Sequence, residues 1–129
     1  MTALMSQAAV AFPRRGEVYW LDFNPATGAE MRDMHPAAVV QNDVANQASA
    51  LTIVAAITSN LRVADLPVGV RVEPHESGLR VPSVIHLGHL HTIDKRRLQR
   101  RIAILPPHIL TRVEEAVQIS LGVRPFRLT

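Results

Sequence analysis

The chain is expected to be mainly β, a small barrel sealed at one end by a single C-terminal helix. Short apolar runs are broken by turn residues at uneven spacing, which favours a small barrel over a regular sandwich. Aromatic residues make up only 4% of the chain, so the core must be built from Val, Ile, Leu and Ala. Only one long stripe of apolar residues at helical spacing is present, and it comes last.

Strands are expected near 16–23, 36–41, 51–58, 68–73, 83–88, 90–93 and 101–105. The first holds Val18, Tyr19, Trp20, Leu21 and Phe23, all good strand formers. Asn24, Pro25, Thr27 and Gly28 break it, and Pro36 opens the next apolar run. Residues 59–69 and 74–82 are expected as loops. Pro106 and Pro107 end the last strand, and a proline suits the first turn of a helix. Ile109, Leu110, Val113, Ala116, Val117 and Leu121 then form one stripe, with Arg112, Glu115 and Gln118 opposite. Gly122 stops the helix, and Pro125 prevents its resumption.

A chain of 129 residues supports one domain with a sizeable core. The N-terminal MTALMSQAAVAF lacks a basic leading region and an A-x-A cleavage pattern, so residues 1–13 are expected to be a poorly ordered extension, not a signal peptide. A domain over 14–122 and a tail over 123–129 follow. No apolar run is long enough to span a membrane. The absence of cysteine excludes a disulfide framework or a thiolate metal site and suits a reducing cytoplasm.

The net charge is only +3, yet the pI is about 10.5. Of 14 basic residues only Lys95 is lysine, and arginine is a permanently charged fork suited to phosphates and carboxylates. Lys95, Arg96, Arg97, Arg100 and Arg101 form one dense patch. It either attracts an anionic partner, nucleic acid or an acidic protein segment, or is simply a solvated strand edge.

Between the first two strands lie Glu30, Arg32, Asp33 and His35. Two acids, a guanidinium and an imidazole on one tether are candidates for acid–base work, against the plainer reading of a solvated polar loop. His86, His89 and His91 form an H-x-x-H-x-H pattern. On a continuous strand 89 and 91 share a face and 86 lies opposite, and no acidic partner stands at ligand spacing, so no metal or other cofactor is expected. There is no phosphate-binding glycine loop ahead of a lysine, no dinucleotide fingerprint and no nucleophile elbow.

Several segments resemble the MazF/PemK family of toxin endoribonucleases. They are RGEVYWLDFNP from Arg15, GAE at Gly28–Glu30, His35-Pro36, and VQND at Val40–Asp43. IVAAITSNL from Ile53, SVIHLGHLHTIDKRRL from Ser83 and VEEAVQISLG from Val113 follow in the same order. The likeness spans about Arg14 to Gly122. It implies an SH3-like barrel with a C-terminal helix, a two-fold homodimer, and metal-independent cutting of single-stranded RNA, mRNA in particular. It also implies a MazE-like antitoxin whose acidic, disordered tail covers the RNA groove.

Many members place an Arg before the proline of the second strand and a Thr at the end of the third. Thr58 matches the Thr, and His35 stands at the Arg position. Either His35 takes over proton transfer with Arg32 as an electrostatic helper, or His35 is structural and Arg32 supplies the missing charge. A third outcome is that the exchange lowers activity. Glu30 matches an acidic position near the substrate site. Ser59, Asn60, His89 and His91 are expected to contact substrate, and Gly88 stands where relatives often carry an acid. Gyrase-inhibiting CcdB toxins share the barrel, so a non-enzymatic poison is the alternative, as is a silent antitoxin-binding member.

Overall fold

The computed structural model describes residues 12–23 and 34–124. Six strands form one sheet of order β4-β5-β3-β2-β1-β6. They are β1 (Glu17–Asp22), β2 (Met34–Val39), β3 (Leu51–Thr58), β4 (Gly69–Val72), β5 (Ser83–Asp94) and β6 (Leu98–Ile104). Among the described residues three α-helices, α1 (Asp43–Ala48), α2 (Pro74–Ser77) and α3 (Pro107–Ser120), accompany them, with short 3-10 turns at Leu61–Asp65 and Lys95–Arg97. All the strand pairs are antiparallel. Among the described residues no helix is long and apolar enough to cross a membrane.

Both faces of the sheet are covered, which is why β3 is an almost unbroken apolar run and not a clean alternation. On one face Val18, Ala38, Ala55, Ile57, Val70, Ile85 and Leu87 pack under Ile109, Val113 and Ala116 of α3. On the far face Leu21, Phe23, Ala37, Val39, Val54, Ala56 and Ile93 form a second cluster, with Tyr19 and Leu98 beside it. The α3 stripe holds except at its end. Leu121 is 62% exposed because it caps the last turn, where Gly122 at φ 74° turns the chain away.

The expected fold class holds, mainly β with a C-terminal helix; the small barrel is a loose one, a two-faced sheet that stays open with β4 and β6 as its edges. The segment after α2 lies against β6 where a strand pair would close a barrel. Gly78, at φ 76°, permits this approach. A Cβ there would stand 2.7 Å from Ile102 Cγ2 and 3.0 Å from the Ile102 carbonyl oxygen.

Two expected loops carry short helices. α2 has a reciprocal capping box between Glu73 and Glu76. α1 was not expected at all. Asn42 caps it by accepting from the Ala45 amide at 2.8 Å. Its fully buried Asn46 is a polar hub. The Asn46 Oδ1 accepts from Thr52 Oγ1 at 2.7 Å and Gln41 Nε2 at 2.9 Å, while its Nδ2 donates to the Gln41 carbonyl at 2.9 Å. Lys95 Nζ donates to the Asn46 carbonyl at 2.6 Å, so VQND and TIDK meet as a structural clasp.

A second polar lock sits at the other edge. The buried Glu17 carboxylate accepts from the Arg14 amide at 2.7 Å, Tyr19 Oη at 2.9 Å and Arg101 Nη1 at 2.8 Å. Burial, followed by the hydrogen bond and charge of Glu17, pushes the Tyr19 phenol up to about 12. A raised phenol favours the neutral form in the fold. Its stabilising contribution is therefore complete below the ordinary value of 10.0 and is lost as pH rises from there towards 12. Tyr19 is the single tyrosine, so alkaline absorbance titration should give one tyrosinate transition near 12, falling partway towards 10.0 in Glu17→Gln. A transition at 10.0 in the folded parent contradicts the burial argument.

Candidate active site

A cleft of about 530 Å³ opens on the α3 side of β1, β2 and β6. Trp20, Pro36, Ile57 and Ile102 give it an apolar lining. His35, Thr58, Ser59 and Ser83 border it from one side, and Arg80 and Arg100 supply cations. The structure thus brings His35, Thr58 and Ser59 together. Glu30 and Arg32 lie outside the described residues.

The β2–β3 ladder explains the first pairing. Ala37 faces Ala56 in the last pair of that ladder, and the same register continued by two residues would set His35 level with Thr58, both of which border the cleft. By alternation both stand on the far face, with Ala37 and Ala56, yet both border the cleft on the other side. They mark the rim where the two faces meet. Thr58 Oγ1 accepts the Asn60 amide at 3.1 Å, and its hydroxyl hydrogen has no acceptor among the described residues. Asn60 does not line the cleft. Its side chain caps the following 3-10 turn by accepting from the Arg62 amide at 3.2 Å.

The basic patch does not act as one surface. Lys95 is spent on the Asn46 carbonyl, and Arg97 donates to the Asp22 carbonyl at 2.6 Å. Arg96 forks onto Asp94 at 3.0 and 2.9 Å, and its side chain and then its amide hold the Asp94 carboxyl down at about 2. Arg101 pairs with Glu17. Arg100 has no hydrogen-bond or ion-pair partner among the described residues, and neither has Arg80. The sequence shows the patch but not its division, because each partner comes from another element.

Strand irregularity decides where Arg100 goes. Tyr19 pairs with Arg101 and Leu21 with Leu98, so Trp20 alone faces both Gln99 and Arg100. This bulge keeps Leu98 and Arg101 on the far face and turns Arg100 with Ile102 to the cleft.

A second irregularity corrects the expected histidine geometry. Residues 83–94 form one continuous strand, but Ala55 pairs with Leu90 while its neighbour Ala56 pairs with His86. Leu87, Gly88 and His89 are the excess, and their odd number brings His86 to the same side as His89. The two rings stack 4.5 Å apart at 7°. His91 meets His89 edge-on at 6.3 Å and Phe23 at 4.9 Å, and Phe23 in turn meets His35 at 6.3 Å. His89 and His91 therefore do not enter the cleft. They form a row on the far face that ends at His35. Among the described residues no three His, Asp or Glu side chains gather as a metal site.

Gly88 serves the stacked pair. Its amide donates to His86 Nδ1 at 3.0 Å, and a Cβ on it would stand 2.7 Å from the His86 ring.

Comparison with known proteins fits this arrangement. The family described as PemK-like, MazF-like toxin of type II toxin–antitoxin systems matches residues 14–121, and the chain belongs to it. Endoribonuclease EndoA of Bacillus subtilis (strain 168) is 41% identical over 113 residues, 88% of this chain and 97% of that protein. The structure of MazF from Deinococcus radiodurans is similar at a TM-score of 0.74 and 26% identity, covering 87% of this chain and 98% of that one. A mycobacterial endoribonuclease solved with its cognate antitoxin shares the fold at a TM-score of 0.73 and 22% identity, covering 89% and 99% of the two chains.

Burial first, and then the charge of His89, push the His86 imidazole below its ordinary 6.5. A lowered imidazole favours the neutral ring in the fold, so its contribution is present above 6.5 and is lost as pH falls through the folded value. Proton NMR should place the His86 midpoint below 6.5, and His89→Ala should raise it only partway because burial remains. A parent midpoint at 6.5 or above contradicts this.

Proposed function

We propose that this toxin is a metal-independent endoribonuclease that cuts single-stranded RNA at the His35–Thr58 rim. One observation carries the reading: an imidazole and a hydroxyl from the ends of paired strands border one cleft, beside two guanidiniums that have no partner among the described residues. In this mechanism His35 removes the proton of a ribose 2′-hydroxyl, whose oxygen attacks the adjacent phosphorus. The bond to the 5′-oxygen breaks, that oxygen takes up a proton, and the products are a 2′,3′-cyclic phosphate and a 5′-hydroxyl. Thr58 donates to a phosphoryl oxygen as charge builds there. Arg32 adds positive charge and Glu30 orients the imidazole. Ser59 and Asn60 contact the strand, and the His89–His91 row takes nucleotides on the far face.

The working unit is a homodimer in the cytoplasm, and its regulator is a MazE-like antitoxin with an acidic, disordered tail. Membership of a type II toxin–antitoxin family supports the antitoxin, and a cationic cleft suits an acidic segment as it suits RNA.

Purified protein should cut a long defined RNA in EDTA, leaving the end groups above. Strict dependence on an added divalent ion, or RNA left intact over a range of pH, overturns the mechanism. His35→Ala should slow cutting by about 10²–10⁴-fold, the usual range for a positioned acid–base group. Arg32→Ala should slow cutting by less than His35→Ala does. Near-parental cutting by His35→Ala together with a dead Arg32→Ala would transfer the role to Arg32.

Light scattering at micromolar concentration should report a dimer. A fully active monomer contradicts the dimeric unit.

A further inference from the structure

The cleft beside the rim has a composition that the cutting step alone does not require. Among the described residues its apolar lining is a single indole, a proline and four aliphatic side chains, and it carries two cations on different elements. Arg80 follows α2, on the segment that Gly78 lets lie against β6, and Arg100 sits in the β6 bulge opposite Trp20. Four of the five residues in the basic patch are bound elsewhere, whereas these two guanidiniums border one cavity with no carboxylate among the described residues that line it. Two like charges facing one partly apolar space repel each other, and an anion between them relieves that repulsion. A guanidinium pair matches phosphate oxygens, and an indole beside proline offers a flat surface to a base. The volume, about 530 Å³, accommodates one nucleotide within the ordinary range of ligand clefts.

We infer that Arg80 and Arg100 clamp the phosphate of a nucleotide neighbouring the cut site, with its base lying on Trp20 and Pro36. This rests on the RNA-cutting reading of the rim. The clamp positions the strand: it contacts a phosphate that does not react, so it governs binding and register, while His35 and Thr58 act on the scissile group. Trp20 is the only tryptophan, so a base seated there reports itself through indole emission.

The test uses full-length protein and an RNA containing its mapped cut word, with a 2′-deoxy nucleotide at the cut to block reaction. Binding is measured from low to moderate salt for the parent and the double variant Arg80→Gln/Arg100→Gln. Both residues are exposed, and circular dichroism checks that the variant is folded. For single strands the slope of log affinity against log salt is about 0.7 per neutralised phosphate, so the double variant should lose about 0.7 of slope. It should also lose the quenching of Trp20. One uncharged methylphosphonate is then moved along the strand. At one position next to the cut it should weaken the parent and leave the variant unchanged.

A parent that cuts RNA while the variant keeps its slope, its quenching and its response at every position overturns the clamp alone. A parent that neither binds nor cuts RNA overturns both readings. If the slope is unchanged and a poly-glutamate peptide binds the parent but not the variant, the cleft takes an acidic protein segment and the clamp is overturned.

Discussion

A carboxylate buried at the start of β1 sets the geometry of the sheet's edge. Glu17 takes three donors, and one of them, Arg101, comes from β6, 84 residues away. Leaving such a carboxylate without partners would cost several kcal/mol, so the ion pair fixes which β6 residue stands on the far face beside Tyr19. With Arg101 committed there and Leu98 packed on the same side, the extra residue opposite Trp20 has to bulge. The bulge is what presents Arg100 to the cleft. A choice between two adjacent arginines, identical in composition, is thus made by a side chain that touches no part of the cleft.

The other wall depends on glycine. Gly78 allows α2 and the residues after it to approach β6 more closely than a side chain would permit. His108 on α3 adds a hydrogen bond to Glu76 of α2 at 2.8 Å, which ties this short helix to the long one. The cleft is therefore bounded by β1 and β2 on one side and by a packed, capped turn on the other. Its rim meets a row of imidazoles and one phenyl ring that lines the far face. Two different surfaces, one cationic and one aromatic, converge on His35.

Much of this was legible in the sequence. β1, β3 and α3 were readable because their apolar runs and stops are local signals, and His35 and Thr58 were readable through motifs that the family shares. α1 escaped because six residues give no periodicity, and only Asn42 marks its start. The continuity of β5 escaped because Gly88 resembles a break, whereas ladder bonds to β3 resume beyond it. The histidine geometry followed the same error: a rule of alternation fails across an odd excess of residues. Arg80 and Arg100 could not be told from the other arginines, since what distinguishes them is that the fold sets both at one cleft.

The clasp between Lys95 and the Asn46 carbonyl has a kinetic meaning. It spans 49 residues, and closing a loop of that length costs about 3.5 kcal/mol of chain entropy. One charged hydrogen bond returns about 1.5–3 kcal/mol, too little to close the loop by itself. The clasp must therefore form after β3 and β5 have already paired and brought its ends together. It is a late event on the folding path, one that slows unfolding of the finished sheet more than it speeds the sheet's assembly.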